Sequence, residues 1–134
     1  MSKNAPIELL TPQGMHKPVG YSHLARIQGG KVVFIAGQVA LDPAGNVVGK
    51  GDFAAQTSQV FENLKTAVEA AGGLFENIIK LNVYLVDATQ LAQYRQVRDR
   101  YIDPNSPPTS TAVQVAALFR PEFLIEIEAV AVVP

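Results

Sequence analysis

The chain has 134 residues, eleven lysines and arginines against twelve aspartates and glutamates, a net charge of −1 and no cysteine. That length suits one domain with a sizeable core, and the near-balance of charge, with no basic cluster beside aromatic residues, argues against nucleic acid as a direct partner. Without cysteine there are no disulfides, thiol nucleophiles or thiolate metal sites, as expected of a cytoplasmic protein.

Residues 1–10 lack the charged-then-apolar pattern of a signal peptide, and no apolar run approaches the roughly 18 residues of a membrane span. Residues 1–20 hold Pro6, Pro12, Pro18, Gly14 and Gly20 and are expected to form an irregular arm. Residues 21–28 and 31–36 read as two strands joined by Gly29-Gly30, a pair able to take the positive φ values of a tight hairpin. The second of these, Val32-Val33-Phe34-Ile35-Ala36, is apolar at every position, the pattern of a strand covered on both faces. After a loop with Asp42-Pro43 and Gly45-Asn46, Asp52 is placed to cap a helix whose Val60, Phe61, Leu64, Val68 and Ala71 form one apolar stripe; Gly72-Gly73 ends it.

Residues 78–86 alternate as a strand does, with Ile79, Leu81, Val83 and Leu85 on one face and Lys80, Asn82 and Tyr84 on the other. Thr89 can cap a second helix over 90–101, with the stripe Leu91, Tyr94, Val97 and Tyr101, until Asp103-Pro104 ends the element. Two strands follow, near 110–118 and 124–132. The order predicts an α+β fold in one domain, residues 1–134: a mixed sheet with two helices on one face. Apolar residues on both faces of the second strand and of the last two leave the opposite face uncovered, and a closed homo-oligomer is the economical cover. On the last strand Glu126 and Glu128 share a face, and carboxylates in so apolar a strand need a partner, a wet cleft or a chemical role.

Tyr21-Ser22-His23, Phe34-Ile35-Ala36-Gly37-Gln38, Val68-Glu69-Ala70-Ala71-Gly72-Gly73, Lys80-Leu81-Asn82-Val83-Tyr84-Leu85 and Ile125-Glu126-Ile127-Glu128-Ala129-Val130-Ala131, in that order, resemble the Rid (reactive intermediate deaminase; YjgF/YER057c/UK114) family. The resemblance covers about residues 21–133. It implies a chorismate-mutase-like fold assembled as a homotrimer, with sheets facing inward and small-molecule clefts between subunits. The best-known members hydrolyse enamine and imine intermediates to a keto acid and ammonia, and need neither metal nor organic cofactor.

Carried over by position, the resemblance makes Tyr21 the tyrosine that closes the cleft, Gly37 the glycine whose backbone lines it and Glu126 the carboxylate that positions water. Deaminating members hold the substrate carboxylate with an arginine two residues after the proline of the turn. Here that position is Ser110, too short and neutral for a charge-assisted fork. Ala112 sits where some members carry cysteine, and Arg98 aligns with a second-helix asparagine that reaches the cleft. Arg98 has two readings: it supplies the missing guanidinium from the other wall, or it is a solvated helix arginine.

Glu126 likewise reads as a general acid–base group or as a rim carboxylate, and Glu128 as one half of a structural ion pair. Tyr21 offers a phenol to the cleft or simply marks the start of a strand. His16 and His23 lack a third ligand at a useful spacing, so no metal site is expected and both are read as solvent-facing. The hydroxyls of Ser110 and Thr111 lack a glycine-flanked elbow and a nearby base; they suit bonds to the turn or to ligand oxygens rather than nucleophilic attack. The expected function is a homotrimer that binds a small anionic or carbonyl-like metabolite and hydrolyses an imine or enamine. Its alternatives are an inactive ligand-binding or regulatory member, which Ser110 favours, and a deaminase or hydrolase of a less acidic substrate. A ribonuclease role lacks a basic groove.

Overall fold

The computed structural model describes residues 7–134, so the first six residues of the expected irregular arm lie outside the described residues. The remainder of that arm is not irregular throughout. Strand β1 (Ile7–Leu10) pairs antiparallel with β2 (Leu24–Ile27), Ile7 opposite Ile27 and Leu10 opposite Leu24. Glu8 and Arg26, directly opposed on this ribbon, form an ion pair at 2.8 Å, and Gln28 donates a further bond to Glu8 at 3.0 Å.

The expected hairpin across Gly29-Gly30 does not form. The ladder of β2 is taken by β1, whereas β3 (Lys31–Gln38) enters a different sheet, pairing with β6 (Ile125–Val133) from Lys31 opposite Val133 onward. Gly30, at φ +83°, turns the chain from ribbon to sheet, and a Cβ there would lie 2.8 Å from the Val133 carbonyl oxygen. The glycine pair makes a turn, but between layers.

The main sheet runs β3-β6-β4-β5, with β4 at Ile78–Leu85 and β5 at Thr109–Gln114. Its β3/β6 and β6/β4 pairs are antiparallel and its β4/β5 pair parallel, so α2 (Leu91–Arg98) lies in the crossover that a parallel pair requires. Helix α1 (Phe53–Ala70) starts as expected: Asp52 accepts the Ala55 N–H at 3.0 Å. Its buried stripe includes Val60, Phe61, Leu64 and Val68, but Ala71 is the exposed C-cap and not part of it. Thr89 does not cap α2, whose N-cap is Gln90 without a side-chain bond; Asp87 instead caps the 3-10 turn that leads into it, its carboxylate accepting both the backbone N–H and the hydroxyl of Thr89, at 2.9 and 2.6 Å. Helix α2 stops at Arg98, well before Asp103-Pro104, and Tyr101 reaches the core from the turn beyond.

Both helices pack on one face, against Leu81, Val83 and Leu85 of β4 and Ile125, Ile127, Ala129 and Ala131 of β6. A bulge between Ile78 and Lys80 keeps Ile78 on that face and sends Ile79 to the other, where it joins Val132 beneath Ile7 and Ala25 of the ribbon. The chain thus supplies part of the cover expected from elsewhere. Beyond the ribbon no described residue covers the face: Phe34 is 81 % exposed and Val32 49 %, so among the described residues β3 is covered on one face only. Among the described residues no helix is long and apolar enough to cross a membrane, and no cluster of three or more His, Cys, Asp or Glu could hold a metal ion.

Candidate functional site

Ser22 ties the entering chain to the start of β5. Its N–H donates to the Pro108 carbonyl at 3.0 Å and its hydroxyl to the Pro107 carbonyl at 2.6 Å. The next residue back, Tyr21, is thereby held beside β5, where it lines a cavity of about 210 Å³ with Arg98, Ser110 and Ala112. Four candidate residues from three separate segments meet in one place.

The Arg98 side chain is only 12 % exposed, which overturns the solvated reading. Its guanidinium bonds Asp99 through Nε at 3.0 Å and pairs with the same carboxylate at 2.9 Å. It also lies against Gly20, where a Cβ would come within 2.7 Å of one terminal nitrogen; Gly20 is at φ +78° as well. The glycine makes room for the cation.

Tyr94, read from sequence only as a stripe residue, is the floor of this cavity. It is 2 % exposed, and its hydroxyl makes no well-formed hydrogen bond; Ser110 is the hydroxyl that approaches it. Burial pushes the phenol up to about 12 against the opposing pull of Arg98 and Ser110, so it stays a neutral donor at any physiological pH. A tyrosine in an apolar stripe is itself a signal, because a buried phenol needs a partner that a phenylalanine does not.

The cavity's outer wall is ordered by two histidines. His16 Nε2 lies 2.9 Å from the Tyr21 hydroxyl, and His23 Nε2 donates to the His16 carbonyl at 2.7 Å with the rings edge-on at 4.7 Å. His16 is exposed as expected, whereas His23 is half-buried by these contacts.

Glu126 and Gly37 form a second group, which does not line that cavity. The register puts Val113, Tyr84 and Glu126 in one row and Thr111, Asn82 and Glu128 in the next, on the face away from the helices. Thr111 is thus turned from the cavity that its neighbour Ser110 lines. Glu128 is not half of an ion pair: it accepts bonds from the Asn82 amide at 2.9 Å and the Tyr84 hydroxyl at 2.8 Å. Those two bonds hold its carboxyl below the usual carboxylate range, with Lys80 adding a smaller pull. Glu126 has no such partner among the described residues. Burial, and then the charge of Glu128, push its carboxyl upward. Neighbouring carboxylates are driven in opposite directions, the arrangement that separates a proton carrier from a fixed charge. Asn82 and Tyr84 were legible as the polar face of β4, but not as partners of Glu128.

The family model described as Endoribonuclease L-PSP matches residues 14–133. A RutC family protein of Pyrococcus horikoshii is 41 % identical over 125 residues, covering 92 % of this chain and 96 % of the relative. Among solved structures, a Rid-family protein of unknown function, YyfB from Yersinia pestis, is 35 % identical with a TM-score of 0.87, covering 96 % of this chain and 99 % of that one. RidA from an Antarctic Psychrobacter is 31 % identical with a TM-score of 0.72, covering 99 % and 97 %. A two-helix layer on a mixed sheet and these matches along almost the whole length agree: the chain belongs to the Rid (YjgF/YER057c/UK114) family.

Proposed function

We propose that this protein is a homotrimeric imine or enamine deaminase in which Arg98 grips the substrate carboxylate from the helix side, in place of an arginine at position 110. The observation that carries the reading is the Arg98 guanidinium, 12 % exposed and lining the same cavity as Tyr21 and Ser110. A desolvated guanidinium with a single, exposed acidic partner among the described residues has donors to spare for an incoming anion.

Two features support the trimer. The sheet face carrying Phe34 and Val32 is bare in one chain, and Glu126 stands apart from the cavity, so a neighbouring subunit is what completes the cleft. In the completed cleft Glu126 takes a proton from a water whose oxygen adds to the imine carbon. It then returns the proton to nitrogen, giving a carbinolamine; Glu126 next takes the carbinol proton and passes it to the same nitrogen, so that the C–N electron pair leaves with ammonia while the oxygen closes to a carbonyl. Burial, and then the charge of Glu128, push the carboxyl upward, the direction that favours returning the proton. No redox step is involved.

The test is to generate a short-lived imine with an amino-acid oxidase or dehydratase and time keto-acid release. Acceleration by this protein, lost in Glu126→Gln, supports the reading; no acceleration with any amino-acid-derived imine overturns it. A second reading, ligand binding without turnover, is favoured by Ser110 and by the Asp99 bond already made to Arg98. The same assay separates the two.

A further inference from the structure

We infer that the Tyr94 hydroxyl is a specificity-determining donor, which with Ser110 and Arg98 forms a three-donor cradle for one carboxylate group of the ligand. The inference rests on the proposed cleft but assigns it a residue that the reaction itself does not require. Tyr94 occupies a core position of α2, where a phenyl ring would fill the same space without stranding a polar group. Its hydroxyl is instead buried, without a well-formed hydrogen bond, in a residue that lines the ligand cavity. Leaving a buried donor without a well-formed bond costs stability, so a ligand atom that completes it competes only with the approaching Ser110 hydroxyl.

The chemistry of the surroundings selects the atom. Tyr94 stays protonated and donates; the Ser110 hydroxyl can rotate to donate; Arg98 only donates. Three donors, one of them a cation whose only bonded acid among the described residues is Asp99, suit an acceptor with two oxygens and a negative charge. A carboxylate can place one oxygen on the guanidinium and the other on the two hydroxyls. The serine that removes the arginine fork at position 110 therefore need not remove the anion site: a short hydroxyl leaves room for donors from α2.

Pyruvate is a suitable unreactive probe and pyruvamide its neutral isostere, with binding followed by calorimetry on the full-length protein. Wild type should bind pyruvate more tightly than pyruvamide. Tyr94→Phe should weaken pyruvate about ten-fold while changing pyruvamide by less than about three-fold, and should melt no lower than wild type because it removes an unpaired buried hydroxyl. Undiminished pyruvate binding in Tyr94→Phe, or no saturable pyruvate binding by wild type, overturns the cradle. If Arg98→Ala abolishes binding while Tyr94→Phe does not, the arginine grip stands and the Tyr94 assignment falls. If the Tyr94 dependence is found but no imine is hydrolysed, the cradle stands and the deaminase reading falls.

Discussion

Glu126 occupies the space that a side chain at residue 37 would need: a Cβ on Gly37 would collide with the Glu126 carboxylate oxygen. Gly37 is not among the glycines at positive φ, so its backbone suits any residue and the constraint is steric. Gly37→Ala should therefore leave melting within a few degrees of wild type but push the carboxylate aside, lowering kcat/KM for imine hydrolysis about ten- to hundred-fold. Equal loss of stability and activity would place the effect in the fold.

The two carboxylates should leave opposite marks on stability. Glu126 has a raised folded-state pKa, so the native state binds more protons than the unfolded one above the ordinary value of 4.5, and stability falls as pH rises through that window. Glu126→Gln should gain on wild type as pH rises from 4.5 through the raised pKa, and then hold a constant advantage. Glu128 is depressed, so its contribution is present above 4.5 and is lost as pH falls through its lowered folded pKa. Glu128→Gln should melt below wild type at neutral pH, with the gap closing in acid. Denaturation curves from pH 3 to 8 measure both.

The same coupling reaches the reaction. If Glu126 must be ionised to take the water proton, kcat/KM rises with pH through its raised pKa. Removing the neighbouring charge with Glu128→Gln should move that limb to lower pH. Burial, the larger cause, is unchanged and should keep the limb above the ordinary carboxylate value.

Arg98 and Ser110 separate the routes to a carboxylate grip. With the guanidinium already in the cavity, wild type should be active, Arg98→Ala should lose about ten- to hundred-fold in kcat/KM, and Ser110→Arg should add little or crowd the site. Gly20→Ala should mimic a mild Arg98 lesion, and in addition cost about 1 kcal/mol of stability for its positive φ. A Ser110→Arg variant that outperforms wild type would return the grip to the strand.

Assembly can be tested at Phe34. The ring is 81 % exposed on the bare half of the sheet face, so Phe34→Asp should convert a trimer to monomer at micromolar concentration in light scattering, and abolish activity with it. A wild type already monomeric there would remove the shared cleft.

What the sequence determined by itself was local or periodic. The Asp52 cap, the α1 stripe from Val60 to Val68 and the Leu81, Val83 and Leu85 face of β4 depend on neighbours within a few residues, and each is as read. So is the common face of Glu126 and Glu128, because strand side chains alternate whatever the partner. Only the tertiary structure decided which edges pair: β2 chose β1 over β3, since a ladder is satisfied by whichever backbone arrives and composition does not label edges. A single bulged residue moved Ile79 to the opposite face, an offset that no alternation pattern can foresee. The direction of Arg98 was decided last, because a long flexible side chain is aimed by what surrounds its head group: Gly20 makes room, Asp99 holds one edge and the cavity beside Tyr94 takes the rest.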